Sequence, residues 1–434
     1  MKKLTIIFII IAFFRQALIA QDDVYPTPDN NGQLFIKNAV IHVGNGQVIE
    51  GGSIEINQGK IVKVGAGVPV PANARVIDAA GKHVYPGLIL SNSNLGLVEI
   101  NSVRATQDAN EIGDINTSIR SIVAYNSDSK VINTLKSNGI LLANIVPGGG
   151  SISGSSSIVQ LDAWNWEDAA YAMDNAIHME MPRLIYIPGA RSFFQGNQPQ
   201  GDPVKRNLEK IDELKSFFRE AKSYGLQPQS KETNLKMEAV QGLFSKKQKL
   251  FIHCDIVKEI LVAVDFAKEF GFDVVLVGAS ESYLVADLLK QYNIAVVLNQ
   301  MHSLPTSNDD DVDQPYKTPA QLQKAGVLFA INDADGQTRG RNLPFNAGTA
   351  AAYGLSKEEA LAAITLNAAK ILGVGDLTGS IEAGKDANIV ISEGDILDMR
   401  TSIITTALIR GRQVSLDDKH KQLNERYKYK YGLK

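Results

Sequence analysis

The residues best able to do chemistry in this chain of 434 residues are a few histidines and one aspartate that follow short apolar runs. His253 ends one such run, and Asp333 comes two residues after another. Imidazoles and carboxylates bind divalent metals and transfer protons near neutral pH, so their placement predicts a metal site or an acid–base site. Of the six histidines, only His178, His253 and His302 fall where they could face the same pocket.

Three other motifs suggest chemistry, but the sequence favours a simpler role for each. The glycine-rich stretch 148–154 lacks the Lys-Ser/Thr ending of a phosphate-binding loop, so we expect a flexible wall of a pocket mouth. The acidic run 309–313 lacks calcium-loop spacing and predicts a solvated loop. Cys254 is the only cysteine and lies in an apolar run, which predicts a small buried side chain and excludes an intrachain disulfide.

The overall composition excludes several classes of protein. A content of 44% hydrophobic and 21% charged residues is typical of a globular protein with a large core, so the whole chain is not disordered. The 44 basic and 47 acidic residues give a net charge of -3, without the basic excess that nucleic-acid binding requires. We therefore expect small molecules or proteins as partners, and no nucleic acid.

The first twenty residues predict a secretory signal peptide (residues 1–20). Two lysines precede an apolar stretch from Leu4 to Phe14, and the small Ala20 stands before Gln21. The apolar stretch is too short for a permanent transmembrane anchor. We expect cleavage before Gln21 and an exported protein, periplasmic or extracellular, that has no membrane attachment after removal of the signal.

The rest of the chain shows two kinds of hydrophobic pattern. Residues 34–83 and 378–414 alternate apolar and polar positions between glycines, which predicts hairpins. Residues 84–377 alternate strands with helices, which predicts parallel βα units. The predicted fold class is α/β, a (β/α)8 TIM-like barrel with a small β-sandwich domain built from both chain ends. Residues 415–434 form a basic tail, expected to be docked or frayed.

Motifs on both sides of the barrel region show a family resemblance. The stretches Gly59-Lys-Ile-Val-Lys-Val-Gly65 and Tyr85-Pro-Gly-Leu-Ile89 precede it, and Thr365-Leu-Asn-Ala-Ala-Lys-Ile-Leu-Gly373 with Gly379-Ser-Ile-Glu-Ala-Gly-Lys-Asp-Ala-Asn-Ile-Val390 closes it. In this order they resemble the amidohydrolase superfamily, and within it the imidazolonepropionase-like group. The resemblance covers nearly all of the predicted mature chain. It implies the barrel fold and a metal-dependent hydrolysis of carbon–nitrogen bonds other than peptide bonds.

The resemblance also implies which positions should hold metal, and most carry other residue types here. Family members end the first barrel strand in His-x-His, where this chain has Asn92 and Asn94. The sixth strand should end in a histidine, where this chain has Gly278. His253 retains the fifth-strand ligand, and Asp333 fits the eighth-strand aspartate that takes a proton from metal-bound water. The chain is thus identified as a degenerate member that lacks most metal ligands.

Two placements stay open in this alignment. His178 falls near the position of a bridging lysine or glutamate in relatives, and Asp335 replaces Asp333 if the alignment slips. A site for one metal ion would need a further ligand, borrowed from His178, His302 or Glu281.

These observations lead to two hypotheses about function. The first is a catalytically silent or impaired protein without a cofactor, which acts as a binding subunit or as the partner of an intact amidohydrolase homologue in a hetero-oligomer. The second is an active mononuclear hydrolase of cyclic or linear amides, with zinc or another single divalent metal. Both place a small-molecule ligand in the barrel mouth, and whether the chain is an enzyme stays open.

Overall fold

The computed structural model describes residues 25–29, 32–72, 74–184, 202–226, 233–299, 301–333 and 337–433. The predicted signal peptide and Asp335 lie outside these residues. Within them, no helix combines the length and the apolar character needed to cross a membrane.

The described part of the chain contains both strands and helices. The strands are β1 (Gln33–His42), β2 (Val48–Asn57), β3 (Lys60–Ala66), β4 (Arg75–Asp78), β5 (His83–Pro86), β6 (Leu88–Ser93), β7 (Ile140–Ile145), β8 (Ile152–Gln160), β9 (Ala170–Glu180), β10 (Lys249–Cys254), β11 (Val274–Gly278), β12 (Ala295–Leu298), β13 (Phe329–Ile331), β14 (Ile389–Ser392), β15 (Ile404–Ile409) and β16 (Arg412–Gln413). The helices are α1 (Lys130–Lys136), α2 (Trp166–Ala169), α3 (Pro203–Gly225), α4 (Leu235–Glu238), α5 (Gln241–Phe244), α6 (Val257–Phe270), α7 (Ala286–Gln291), α8 (Gln314–Ala325), α9 (Leu343–Ala352), α10 (Lys357–Ala363), α11 (Leu366–Leu372) and α12 (Lys419–Tyr431).

One sheet combines strands from both chain ends. In the described part of the chain its order is β16-β15-β14-β5-β1-β2-β3, with β4 paired to β1. Alternate residues of β1, such as Leu34 and Ile36, are buried in its core together with Ile389 and Leu408 from the far end of the chain. The small β domain therefore depends on two segments of sequence that lie more than half the chain apart.

The second sheet forms the barrel and confirms the predicted fold class. Its strands follow one another from β6 to β13. The first and last strands meet through the side chain of Asn332, whose Oδ1 accepts from the backbone N–H of Ser91 at 3.0 Å and of Asn92 at 3.2 Å. Its amide nitrogen donates to the carbonyl oxygen of Asn92 at 2.9 Å. The sheet is therefore nearly closed.

The strict βα alternation expected from the sequence fails at β8. This strand runs antiparallel to both β7 and β9. Parallel neighbours need a crossover of about a dozen residues or more, and only residues 146–151 connect β7 to β8. The glycines in this connection make a tight return, with positive φ at Gly149 and Gly150.

The later barrel elements agree with the sequence-based prediction. Strands β10 to β13 pair in parallel, and α6 ends at Gly271, which has a φ of 72°. Helix α10 begins with a capping box, in which Ser356 and Glu359 each accept from the other's backbone N–H. In the tail, α12 begins at the cap Asp418 and buries none of its residues.

Candidate functional site at the barrel mouth

The predicted site residues come from the carboxyl ends of the barrel strands, which is where TIM barrels carry their active sites. Asn92 lies near the end of β6, His253 near the end of β10, and Gly278 ends β11. Asp333 follows β13. We call this end of the barrel the mouth.

The first strand end carries amides whose oxygens lack partners. Oδ1 of Asn94 is buried and accepts no hydrogen bond. Asn144, on the neighbouring β7, donates to the carbonyl oxygen of Ser91 at 3.1 Å, but its Oδ1 also lacks a partner. Buried acceptors of this kind destabilise the protein unless a water or ligand donates to them.

Two histidines contact each other below the mouth. Nδ1 of His178 and Nε2 of His253 are 2.9 Å apart, and Nδ1 of His253 lies 3.5 Å from Oε1 of Glu180. The parallel register explains this arrangement, because it pairs His253 with Glu180 and Phe251 with His178. His178 and Glu180 are two residues apart in β9, so both point to the same face.

Burial keeps this histidine pair neutral. Desolvation lowers the pKa of His178 well below the ordinary histidine range, and the neighbouring His253 lowers it further. Desolvation also lowers the pKa of His253, although the negative charges of Glu180 and Asp255 oppose that change. Both rings are therefore neutral near pH 7, and a single ring proton occupies their hydrogen bond.

Asp333 and Gly278, at the predicted positions of the catalytic aspartate and of the sixth-strand ligand, are closely packed by neighbouring residues. Asp333 is buried, and its Oδ2 accepts from the amide of Asn346 at 3.0 Å. Gly278 has a φ of +87°, and a Cβ built there would lie 2.6 Å from Oδ1 of Asp255. The next residue, Ala279, also has a positive φ of 44°. The chain thus turns sharply where the family places a histidine, so a side chain at residue 278 would be strained.

The three residues considered as a further metal ligand lie at different distances from His253. His302 is away from it, whereas Glu281 and His178 are near it. His302 donates to or accepts from the hydroxyl of Thr349 on α9 at 2.8 Å, and it lines a different pocket from His253. Glu281 shares a mouth cavity with His253, but its carboxylate accepts from the backbone N–H of Val257 at the start of α6 at 2.7 Å. His178 alone contacts His253 directly.

Two adjoining cavities open at the mouth. The first, of about 420 Å³, is lined by Asn92, Asn94, Gly148, Glu180 and His253 among others. The second, of about 550 Å³, shares Glu180 and His253 and adds further carboxylates. Gly148, the first residue of the glycine-rich stretch, therefore lines the mouth. Among the described residues, no group of three or more His, Cys, Asp or Glu side chains is arranged to hold a metal ion.

Three residues of this site were not predicted from the sequence. Glu180 could have been found, because it lies two residues after His178 in an alternating strand. Asp255 and Asn144 could not, because their contribution depends on how neighbouring strands align. Cys254, in contrast, is buried as predicted, and burial together with nearby carboxylates raises the pKa of its thiol.

Comparison with known proteins gives consistent matches. Residues 212–414 match the amidohydrolase family. The chain is similar to the amidohydrolase tasK of Hapsidospora irregularis, at 24% identity over 384 residues, which is 80% of this chain but only 38% of that protein. It is also similar to an imidazolonepropionase of Mesorhizobium japonicum, at 24% identity over 79% of this chain and 87% of the relative.

A solved structure extends the likeness to the fold. The crystal structure of an amidohydrolase from Thermotoga maritima superposes with a TM-score of 0.76 at 26% identity, over 88% of this chain and 99% of that one. The similarity thus includes both the barrel and the second sheet.

Proposed function

We propose that this chain, which belongs to the amidohydrolase superfamily and has imidazolonepropionase-like homologues, is a catalytically silent or impaired member that binds a small molecule at the barrel mouth. The observation that carries this proposal is the set of side chains at the strand ends. The family's metal-dependent hydrolysis belongs to relatives whose strand ends carry strong ligands.

The donor set does not fit the metal that the resemblance implies. The amide oxygens of Asn92 and Asn94 are weak ligands for zinc, and Gly278 has no side chain to offer. His253 directs one ring nitrogen to His178 and the other towards Glu180. A metal ion at Nε2 of His253 would have to break the histidine pair, which leaves Nδ1, beside Glu180, as the ligand atom of this ring.

The remaining chemistry of the mouth is weak for hydrolysis. Water attacks an amide slowly unless it is ionised, and a metal ion lowers the pKa of a bound water from 15.7 to about 7 in well-formed zinc sites. Asp333, the candidate base, is buried and accepts a hydrogen bond from Asn346. This arrangement supports binding without turnover.

The alternative is an active enzyme with one metal ion. Glu180 and Nδ1 of His253 lie 3.5 Å apart in the same cavity, so these two donors could contribute to such a site. That hypothesis also requires Asp333 to act on a metal-bound water, so the two hypotheses predict opposite results in one assay.

Export and partnership are part of the proposal. The apolar stretch after the two N-terminal lysines supports a secreted protein, periplasmic or extracellular, that begins at Gln21. The incomplete set of ligands supports pairing with an intact amidohydrolase homologue, which would supply the activity of a hetero-oligomer. Affinity purification followed by mass spectrometry tests both points through the mature N-terminus and the co-purified chain.

Hydrolysis assays distinguish the two hypotheses. We expect no turnover above background for N-acyl amino acids, dipeptides, hydantoins or imidazolonepropionate, with or without added zinc. The Asp333→Asn variant should behave like the unaltered protein in every assay. Metal-dependent turnover that disappears in Asp333→Asn and in His253→Ala would instead establish the mononuclear enzyme.

A further inference from the structure

We propose that the mouth selects a ligand that carries a cationic nitrogen, as an ammonium or guanidinium group, over an anionic ligand. The inference rests on the proposed function, since it assumes that the mouth binds a small molecule. It concerns the chemical class of that ligand and follows from the side chains of the first mouth cavity.

The first mouth cavity is rich in amides and carries one carboxylate. Among the described residues that line it are Asn92, Asn94, Asn101, Gln107, Asn110 and Glu180. The described lining includes no lysine or arginine. An anionic ligand would find no opposite charge there and would be repelled by the carboxylate, whereas amides accept from and donate to polar groups of either kind.

An acceptor in this cavity lacks a donor. Oδ1 of Asn94 is buried without a hydrogen-bond partner. The oxygen itself has almost no accessible surface, so a ligand reaches it only when the Asn94 side chain turns towards the cavity. An N–H of the ligand would then satisfy this oxygen, whereas a carboxylate or phosphate would bring a second acceptor to it. The preference at Asn94 is therefore for a nitrogen donor.

Glu180 supplies the negative charge of the first mouth cavity. Its side chain is 59% exposed, so a ligand in the cavity can reach the carboxylate. Nδ1 of the adjacent His253 lies 3.5 Å from Oε1 of Glu180, which is long for a hydrogen bond. A cationic nitrogen of a ligand would make a short, charge-assisted hydrogen bond to this carboxylate.

The adjoining cavity adds to the negative potential. Asp255 and Glu281 line it beside Glu180, and Arg183 is the one lysine or arginine among its described lining residues. Excess carboxylates around a concave surface raise the local concentration of cations. The whole mouth therefore favours a positively charged ligand.

Isothermal titration calorimetry near neutral pH tests the proposal with simple probes. Agmatine and putrescine carry guanidinium and ammonium groups, N-butylurea is a neutral analogue, and succinate is an anion. We expect at least one of the two cations to bind more tightly than N-butylurea and succinate. Glu180→Gln should weaken that binding by at least about tenfold, since a hydrogen bond between charged groups is lost. Asn94→Ala should weaken it as well.

The matched control is Glu209→Gln, an exposed glutamate on α3 that does not line the first mouth cavity. It should leave binding unchanged, and thermal melts verify that every variant is folded. The proposal is overturned if neither cation binds at about 10 mM, if succinate binds as well as they do, or if Glu180→Gln retains full affinity. Metal-dependent hydrolysis would refute the proposed function but leave the cation preference intact, so the two failures are distinguishable.

Discussion

Two groups in this molecule share one arrangement, a histidine between a glutamate and a second histidine. They are Glu180–His253–His178, the mouth triad, and Glu358–His42–His83, the junction triad, where β1 and β5 meet α10. In each, Nδ1 of the central ring faces the carboxylate and Nε2 lies 2.9 Å from Nδ1 of the other ring. The distance to the carboxylate is 3.5 Å at the mouth and 2.7 Å at the junction.

The surroundings of the two triads differ. At the mouth, His178 is 0% exposed and its Nε2 has no partner, while Glu180 faces a cavity. At the junction, the ring of His42 stacks on Tyr85, with centroids 4.5 Å apart, and links the β domain to a barrel helix. The same residue types can thus join two domains or line a pocket. The location of the triad, and not its composition, points to function.

Removing the imidazole of His178 should lower the free energy of unfolding more than removing that of His83 at the junction. His178→Ala leaves a cavity and an unpaired nitrogen on His253, so we expect a loss of about 3 kcal/mol in the free energy of unfolding. His83→Ala should lose about 1 kcal/mol, because the site is partly exposed. Urea denaturation measures both, with the exposed His420→Ala as control. A larger loss for His83→Ala would reverse the comparison.

The two triads should also differ in how strongly they make the stability of the protein depend on pH. Burial lowers the pKa of His178, His253 and His83 in the folded protein. As pH falls below the ordinary histidine pKa of about 6.5, the unfolded chain takes up protons first, so stability falls. Because His178 is shifted well below that range, His178→Phe should flatten the acid side of the stability curve more than His83→Gln. Equal slopes in the two variants would contradict this ordering.

The smallest expected effect concerns the two carboxylates. Glu358→Gln removes the charge from a short, half-buried hydrogen bond, which should cost roughly 0.5 to 1 kcal/mol. Glu180→Gln should change the free energy of unfolding by less than about 0.5 kcal/mol, because its longer contact is more exposed. Thermal melts of the two variants provide the measurement, and a greater loss at Glu180 would give the mouth carboxylate a structural role.

Much of the fold could be predicted because its signals are local. Period-two alternation and the motifs around Tyr85 and Gly373 predict the two sheets and the order of barrel strands. The reversal of β8 was missed, because the serine-rich stretch 151–157 has a pattern that fits a strand of either direction. Only the short connection before it indicates an antiparallel return.

The site was harder to predict because it depends on register and backbone conformation. The sequence identifies His178 and His253, but their contact follows from the pairing of β9 with β10. It also suggests that Gly278 merely replaces a ligand, whereas a φ of +87° makes a histidine there strained. A variant designed to bind metal at the mouth should therefore carry Asn92→His and Asn94→His and keep Gly278.

Elemental analysis of the purified protein tests the central claim most directly. Because Asn92, Asn94 and Gly278 offer no strong ligand and the mouth histidines bind each other, zinc, manganese and iron should all be well below stoichiometric. A chelator should leave the melting temperature unchanged. A stoichiometric metal that is lost in His253→Ala, with a drop in melting temperature on chelation, would contradict the account and establish a working metal centre.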